Sequence, residues 1–317
     1  MTTRRDFLTT LGACTVGAAA WPAAARAAGL PSAARAASGA AADPALKFAY
    51  HAITWGDDYL RGIEEIGATG FRGVQLRTNV MAAYGDKPAE LKALLARHKL
   101  EFVCFSSGTL LLAPDKEQET LALHERNARF VGAAGGLHMQ VTDERPKDRP
   151  ATAEDRKRMG GLLTKLGERA KAAGVKLVYH NHMGNLGERP EEVAEVLAAS
   201  DPAAVGLLFD MAHFTQAGGD CAKAIHDHKS RLALVHAKDV RTVQRMPDSP
   251  QRQSNYQFVE LGRGRVDIPG AFAALKDVGY RGWVIVELDA VPDQGGTQLA
   301  SMQTSKSYIQ QVLKLPL

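Results

Sequence analysis

Residues that can bind a metal ion or move a proton follow four short apolar runs in the second half of the sequence. The run VKLVYHNH reaches His180 and His182, VGLLFD ends at Asp210, LALVH ends at His236, and VIVE ends at Glu287. Imidazoles and carboxylates together form a mixed nitrogen and oxygen ligand set, which suits Mn²⁺, Co²⁺ or Zn²⁺ better than Ca²⁺. The pattern predicts one divalent metal ion held by His180 (or His182), Asp210, His236 and Glu287.

The metal interpretation depends on the four positions being taken together. A single histidine at a strand end is more often a hydrogen-bonded polar cap than a metal ligand. Four ligand-type residues at matching positions on consecutive runs are harder to explain as separate caps. The joint pattern therefore favours a metal site.

Four other residues are predicted to contact the substrate. His51 and Gln75 end the first two apolar runs and would face the same site. His213 lies one helical turn after Asp210, where it can bind substrate or cap a helix. Arg265 belongs to the turn-forming segment GRGR, which can place one arginine beside substrate oxygens.

Three residues are candidates for proton transfer: Glu287, His182 and Lys238. A carboxylate or imidazole in the right position contributes roughly 10²–10⁴-fold to a reaction rate. Because Asp239 follows Lys238 directly, the two can also be no more than a salt-bridged edge. Asp143 ends the fourth apolar run and is predicted to be a solvated loop carboxylate.

These residues need a scaffold that brings strand ends together, and the sequence supplies one from Leu46 onward. Eight apolar runs with strand character alternate with eight helical patterns, among them residues 190–199 and 220–228. Such alternation over roughly 270 residues predicts a single (β/α)8 barrel, an α/β fold whose strand ends meet at one mouth. A doubly wound sheet is disfavoured because no glycine-rich phosphate loop follows the first strand. Residues 240–258 are polar and irregular and are predicted to form a functional loop.

The N-terminal residues do not belong to the predicted barrel, and their pattern predicts export of the protein. Arg4 and Arg5 precede a weakly apolar run rich in alanine and glycine, the pattern of a twin-arginine signal peptide, and Ala27 fits a small-residue cleavage rule. The predicted location is therefore the periplasm. The predicted divisions are a signal peptide, a disordered tether and a barrel, over residues 1–27, 28–45 and 46–317.

Composition and charge narrow the choice of partners. The 317 residues are 45% hydrophobic and 23% charged, an ordinary soluble composition. Removing the signal takes away three arginines and one aspartate and lowers the formal net charge from +4 to +2, so no nucleic-acid partner is expected. The segment around Cys14 resembles a lipid-attachment box but follows Arg5 too closely, so no stable membrane association is expected. Cys104 and Cys221 allow a structural disulfide without specifying one.

Several sequence blocks resemble the xylose-isomerase-like superfamily of metal-dependent TIM barrels, which includes sugar isomerases, ketose 3-epimerases and inosose dehydratases. The blocks LVYHNHMG, GLLFDMAHFTQAGGD, LVHAKDVR, GRGRVDIPGAF and GYRGWVIVELD resemble the inosose dehydratase branch most. The resemblance implies that Asp210, His236 and Glu287 are metal ligands and that His213 contacts substrate. His180 stands where the epimerase pattern has a glutamate, and Gln75 stands where many members have one.

The predicted activity is removal of a proton beside a carbonyl in a small keto-sugar or cyclitol, assisted by the divalent metal. The unequal set of imidazoles and carboxylates favours a lyase or dehydratase of the inosose dehydratase type. Sugar isomerisation and ketose 3-epimerisation are the main alternatives. A non-catalytic sugar-binding barrel and a metal-dependent endonuclease are remote ones, and the near-neutral charge disfavours the endonuclease.

Overall fold

Eight parallel strands hydrogen-bond side by side into a closed barrel in the computed structural model, which describes residues 46–245 and 254–317. The order around the barrel is β1-β10-β7-β6-β5-β4-β3-β2, so each strand lies beside its neighbour in the chain apart from the interposed hairpin of β8 and β9. The predicted (β/α)8 barrel is confirmed. The strands are β1 Lys47–His51, β2 Gly73–Arg77, β3 Glu101–Leu110, β4 His138–Asp143, β5 Lys176–His180, β6 Val205–Asp210, β7 Leu232–Ala237, β8 Asp239–Thr242, β9 Tyr256–Val259 and β10 Trp283–Val286.

Helices follow the barrel strands, and the sequence sets where many of them begin. Thr152 caps α5 by accepting from Asp155 N, and Asp220 caps α8 by accepting from Lys223 N. Pro190 occupies the first turn of α6, where its missing N–H costs nothing. The helices are α1 Tyr59–Thr69, α2 Met81–Tyr84, α3 Pro88–Arg97, α4 Glu117–Ala133, α5 Ala153–Ala172, α6 Pro190–Ala198, α7 Met211–Gln216, α8 Cys221–Asp227, α9 Ile268–Asp277 and α10 Gln298–Gln311.

The core has two layers, because successive side chains on a strand point to opposite faces. One layer fills the space between the strands and the surrounding helices, and it holds most of the buried apolar side chains. The other fills the barrel interior and includes Leu208, Leu234 and Ile285. The interior is tightly packed, since a side chain at Gly73 would overlap Val103 and approach a carbon of Trp283 to 2.9 Å.

A two-stranded hairpin replaces part of the irregular loop that was predicted for residues 240–258. Strands β8 and β9 pair antiparallel, with Asp239 opposite Val259 and Thr242 opposite Tyr256. The prediction was wrong for both ends of the segment, because backbone pairing between them is not encoded in either run alone. Residues 246–253 lie outside the described residues.

Two other sequence predictions concern the cysteines and the first residues of the chain. Cys104 and Cys221 are both buried free thiols, so the disulfide left open by the sequence is not formed between them. The predicted signal peptide and tether lie outside the described residues. Among the helices that are described, none has the length and apolar character needed to cross a membrane.

Candidate active site

Strand alternation places the predicted ligands at one mouth of the barrel. Interior residues Val178, Leu208, Leu234 and Ile285 each precede a predicted ligand by two positions. The side chain two residues further on points to the same face, so each ligand also faces the barrel axis, at the carboxyl end of its strand. The four ligands are His180, Asp210, His236 and Glu287.

These four side chains converge to within a few ångströms of one another. Asp210 Oδ2 lies 3.5 Å from His180 Nε2 and 3.4 Å from His236 Nδ1. The same Nδ1 atom lies 3.2 Å from Glu287 Oε2. All four residues are at most 5% exposed, so the cluster is buried in the protein.

Three of the four atoms that face each other lack hydrogen-bond partners: His180 Nε2, Asp210 Oδ2 and His236 Nδ1. In the described parts of the chain, five buried side-chain nitrogen or oxygen atoms are unpaired, and four of them belong to His180, Asp210 and His236. Buried polar atoms are normally satisfied, so four orphans in one cluster need an explanation. Burial also lowers the pKa of His180 to about 4, which leaves its ring neutral at pH 7 and able to offer a lone pair.

A divalent cation would satisfy this cluster. Ligand atoms of His180, Asp210 and His236 all lie within 4.8 Å of one another, as do those of two overlapping groups, His51–His236–Glu287 and Asp210–His213–Glu287. His182 belongs to none of the three groups. The geometry therefore favours His180 over His182 as the ligand, and the donor types fit a mixed nitrogen and oxygen site.

The two carboxylates of the cluster are held in the ionised form. Burial alone would raise the pKa of Asp210, but His213, His180 and His236 hold that pKa well below its usual range. Burial likewise opposes ionisation of Glu287, while His236, Lys238 and His51 keep its pKa well below the ordinary value. Two ionised carboxylates buried in one cluster with imidazole nitrogens are the electrostatic setting of a cation site.

Lys238 contacts this cluster through its ammonium group. Its Nζ lies 2.7 Å from Glu287 Oε1, 2.9 Å from Asp289 Oδ1 and 3.3 Å from His213 Nε2. The two carboxylate oxygens accept ammonium protons, while His213 Nε2 is a contact only, because His213 Nδ1 already accepts from Met183 N at 3.5 Å. Burial would lower the pKa of Lys238, but Asp289 and Glu287 more than offset it, so the pKa is raised and the side chain stays cationic.

Asp239 does not pair with Lys238, so the predicted salt-bridged edge is wrong. Its buried carboxylate instead accepts four backbone N–H groups, from Val240, Gly262, Gly264 and Val266, at 2.8 to 3.1 Å. These bonds tie the GRGR segment to the start of β8. The sequence could not show this, because three of the four donors are backbone groups more than 20 residues away.

A second polar network lies on the neighbouring strands of the mouth. His51 Nδ1 donates to Glu287 Oε2 at 2.5 Å. Gln75 Nε2 donates to Ser106 Oγ at 2.8 Å and to Gln140 Oε1 at 2.6 Å, while Gln75 Oε1 lies 2.8 Å from His236 Nε2. His51 and Gln75 thus reach the cluster, as predicted, by contacting its ligands.

His182 and His213 form the wall of the mouth beside the hairpin. Their ring centroids are 3.8 Å apart, and the His213 ring lies 5.1 Å from that of Phe258. His182 Nδ1 donates to Met183 O at 2.7 Å, so Nε2 is the ring nitrogen left for another partner. His182 is half-buried, which leaves part of it open to the mouth.

One predicted placement stays a prediction and another is wrong. Arg265 is exposed and donates to Gln216 Oε1 at 2.6 Å, and its contact with substrate stays a prediction. Asp143 is buried, not solvated, and accepts from Tyr179 Oη at 2.5 Å and from Leu186 N at 2.6 Å. Asp143 thereby anchors the loop after β5, which carries His182.

The sequence interpretation missed four polar residues of the mouth. Asn181 exchanges two hydrogen bonds with the backbone of Asp210, which fixes the ends of β5 and β6 together. Gln140 lies inside the apolar strand HMQVTD, at the register of Ser106, and a polar residue inside such a run was the available signal. The missed residues are Ser106, Gln140, Asn181 and Asp289.

The fold and the cluster define a class of protein: a (β/α)8 barrel with buried imidazoles and carboxylates at the carboxyl ends of its strands. The chain belongs to the xylose isomerase-like TIM barrel family, whose sequence profile matches residues 63–308. The resemblance noted from the sequence is confirmed at the level of this family.

Similar proteins with assigned names cover most of the chain. An inosose dehydratase of Lacticaseibacillus casei is 28% identical over 276 residues, which span 81% of this chain and 90% of that protein. The rhizopine catabolism protein MocC of Rhizobium meliloti is 31% identical over 282 residues, 78% of this chain and 83% of that one. The solved IOLI protein with a bound zinc atom superposes with a TM-score of 0.69 at 18% identity, covering 84% of this chain and 98% of that chain. At that identity the structural likeness shows the fold alone.

Proposed function

We propose that this protein is a divalent-metal-dependent enzyme that dehydrates a keto-sugar or keto-cyclitol, in the manner of an inosose dehydratase. The observation that carries the proposal is the buried cluster of unpaired donor atoms on His180, Asp210 and His236. Inosose dehydratases among the relatives, with 28–31% identity over most of the chain, support the cyclitol substrate class.

His180, Asp210, His236 and Glu287 would hold the metal, with Mn²⁺, Co²⁺ or Zn²⁺ suited to this ligand set. Such an ion supplies Lewis acidity, which stabilises the negative charge that develops when a proton leaves a carbon beside a carbonyl. The four side chains are buried, so the charge of a bound ion would be screened little by bulk water.

Proton movement in the proposed reaction falls to His182. Both oxygens of Glu287 accept hydrogen bonds, Oε1 from Lys238 and Oε2 from His51, which favours a positioning role for this carboxylate. Lys238 donates to Glu287 Oε1 and Asp289 Oδ1, so it orients these two carboxylates. His182 is half-buried, and its Nε2 lone pair is available to accept a proton.

The dehydration conserves atoms and electrons without a further reagent. A base takes the proton from the carbon beside the carbonyl, and the electron pair of that C–H bond forms a C=C bond as the β C–O bond breaks. The departing oxygen takes up a proton and leaves as water. The alternative is ketose 3-epimerisation, which returns a proton to the same carbon from its other side and releases no water.

Metal binding is tested with an isosteric ligand variant. Asp210→Asn keeps the size of the side chain but removes the charge, so we expect metal affinity to fall by at least about 100-fold. Elemental analysis and chelator competition measure the change. Asp86→Asn, at an exposed position, is the matched control and should retain wild-type metal content. Undiminished metal in Asp210→Asn would contradict the proposed centre.

The reaction is tested by following products in D₂O by NMR. Metal-loaded protein is incubated with an inosose and, separately, with free ketoses. We expect exchange of the proton beside the carbonyl and formation of an unsaturated product with loss of water. Clean epimerisation of a ketose would instead establish the alternative activity. Absence of both exchange and product with metal bound would count against the class of chemistry itself.

A further inference from the structure

We propose that Gln75 is a positioning residue that keeps the proton of the His236 ring on Nε2, so that Nδ1 presents a bare lone pair to Asp210 and Glu287. The inference rests on the proposed metal centre, since Nδ1 is the atom of His236 within that ligand set. Gln75 touches no reacting atom in this role. It acts through His236.

The first step is the orientation of the Gln75 amide. Gln75 is fully buried, and its Nε2 donates one proton to Gln140 Oε1 at 2.6 Å and the other to Ser106 Oγ at 2.8 Å. An amide nitrogen has two protons, so both are used. The carbonyl oxygen Oε1 therefore faces His236, at 2.8 Å from Nε2.

The second step is the tautomer of His236. An amide oxygen only accepts, so His236 Nε2 must carry the proton in this hydrogen bond. A neutral imidazole has one N–H, which leaves Nδ1 without a proton. The structure agrees, because Nδ1 is buried and has no hydrogen-bond partner although it lies 3.2 Å from Glu287 Oε2.

The hydrogen bonds from Gln140 through Gln75 to His236 form a relay. This relay has a second self-consistent arrangement, and this gives Gln75 its importance. If the amides of Gln140 and Gln75 both turned over, Gln75 Nε2 would donate to His236 Nε2. The ring proton would then lie on Nδ1 and point at the carboxylates of Asp210 and Glu287. That proton would occupy the lone pair a metal ion needs, so the observed direction of the relay is the one that leaves the ligand set complete.

Substitutions at Gln75 distinguish the two hydrogen-bond arrangements of the relay. Gln75→Met keeps the volume and removes the acceptor, so the tautomer is no longer fixed. Gln75→Glu places a group that only accepts, which enforces the same tautomer once Gln140 turns its N–H₂ toward it. Gln118→Met, on the exposed face of α4, is the matched control.

The first measurement is the affinity for Co²⁺ and Zn²⁺, each alone, by chelator competition. We expect a 10- to 100-fold loss in Gln75→Met, near wild-type affinity in Gln75→Glu, and no change in Gln118→Met. Equal affinity in Gln75→Met and wild type would overturn the inference. Equal losses in both Gln75 variants would also overturn it, because a packing role predicts no rescue by glutamate.

The second measurement reads the tautomer directly in metal-free protein. Long-range ¹H–¹⁵N spectra distinguish Nδ1–H from Nε2–H rings, and His236→Gln assigns the signal. We expect Nε2–H in wild type and Gln75→Glu, and a shift toward Nδ1–H in Gln75→Met. An Nδ1–H ring in the wild type refutes the role of Gln75. Failure of the wild type to bind any metal would instead remove the proposed centre, while the spectra still decide the tautomer.

Discussion

Lys238 shows how a single buried charge can organise the barrel mouth. Its ammonium contacts Glu287, Asp289 and His213 and lies 4.0 Å from the centre of the Phe258 ring. A buried cation between two carboxylates is stabilised only while those partners remain, and the carboxylates depend on it equally. The residue therefore links the end of β10 to the hairpin.

Removing this charge should be costly. We expect Lys238→Met to lower the free energy of unfolding by about 3–5 kcal/mol, because it leaves Glu287 ionised and buried without its cation. Urea denaturation of chelator-treated protein measures the change. Lys223→Met, which breaks an exposed ion pair with Asp227 on α8, should have a far smaller effect. Similar losses in the two variants would contradict the argument.

At this scale the sequence identified ligand types well and side-chain environments poorly. His180, Asp210, His236 and Glu287 follow from strand alternation, which needs only local sequence. Asp143 was placed wrongly, because its surroundings depend on which loop folds over it. Asp143 is buried by residues more than 40 positions away, which no local pattern encodes.

At the scale of elements, Asp239 and Gly264 fix the approach of the loop after β9. Asp239 accepts from Gly262 N and Gly264 N at 3.0 and 2.9 Å. A Cβ atom at Gly264 would overlap Asp239 Oδ1 and lie 2.6 Å from Val240 O. Glycine is required there by close approach of the carboxylate.

Adding one methyl group at this glycine should destabilise the protein. We expect Gly264→Ala to lower the free energy of unfolding by about 1–3 kcal/mol, since a buried carboxylate must move away from its donors. Gly161→Ala in α5 is the control, where a Cβ meets nothing within 4 Å and should stabilise by about 0.5–1 kcal/mol. Denaturant midpoints compare the two. A stabilising Gly264→Ala would show that the loop is not held as described.

The contact between α4 and β3 depends on a neutral histidine. His124 is buried, with Nδ1 2.6 Å from Ser107 Oγ and Nε2 3.1 Å from Thr109 O. The carbonyl must accept, so Nε2 carries the proton and Nδ1 accepts from the Ser107 hydroxyl. Burial lowers the pKa of His124, although the bond to Thr109 opposes this.

This histidine should make the protein less stable in mild acid. As pH falls below about 6.5, the unfolded chain binds a proton at His124 that the folded state resists, so stability falls with pH. We expect His124→Gln to reduce the dependence of unfolding free energy on pH between 7 and 5.5, by up to about 1.4 kcal/mol per pH unit. Urea titrations at each pH test this. Equal slopes for the variant and the wild type would contradict a neutral, buried His124.

Element order followed from the sequence more readily than element pairing. Helices α6 and α8 begin at residues whose capping chemistry is local, and their bounds match the predicted ones within one residue. The β8–β9 hairpin was missed because its strands are separated by 13 residues and pair through backbone atoms. Local periodicity carries no signal for that pairing.

At the scale of the whole molecule, assembly of the site depends on complete folding. The proposed ligands come from β5, β6 and the ends of β7 and β10, so no fragment of the chain holds them together. A metal site of this kind forms only in the folded state, and binding adds to its stability. The proposed site is therefore expected to take up metal after the chain has folded.

We propose that the protein is exported by the twin-arginine route, which carries folded proteins and so suits a preassembled metal site. Arg4 and Arg5 precede the apolar run that ends near Ala27. We expect an Arg4→Lys/Arg5→Lys double variant to accumulate as uncleaved precursor in the cytoplasm, measured by fractionation and immunoblotting. Arg26→Lys, outside the paired arginines, is the control and should be exported. Normal periplasmic levels of the double variant would show that the leader uses another route.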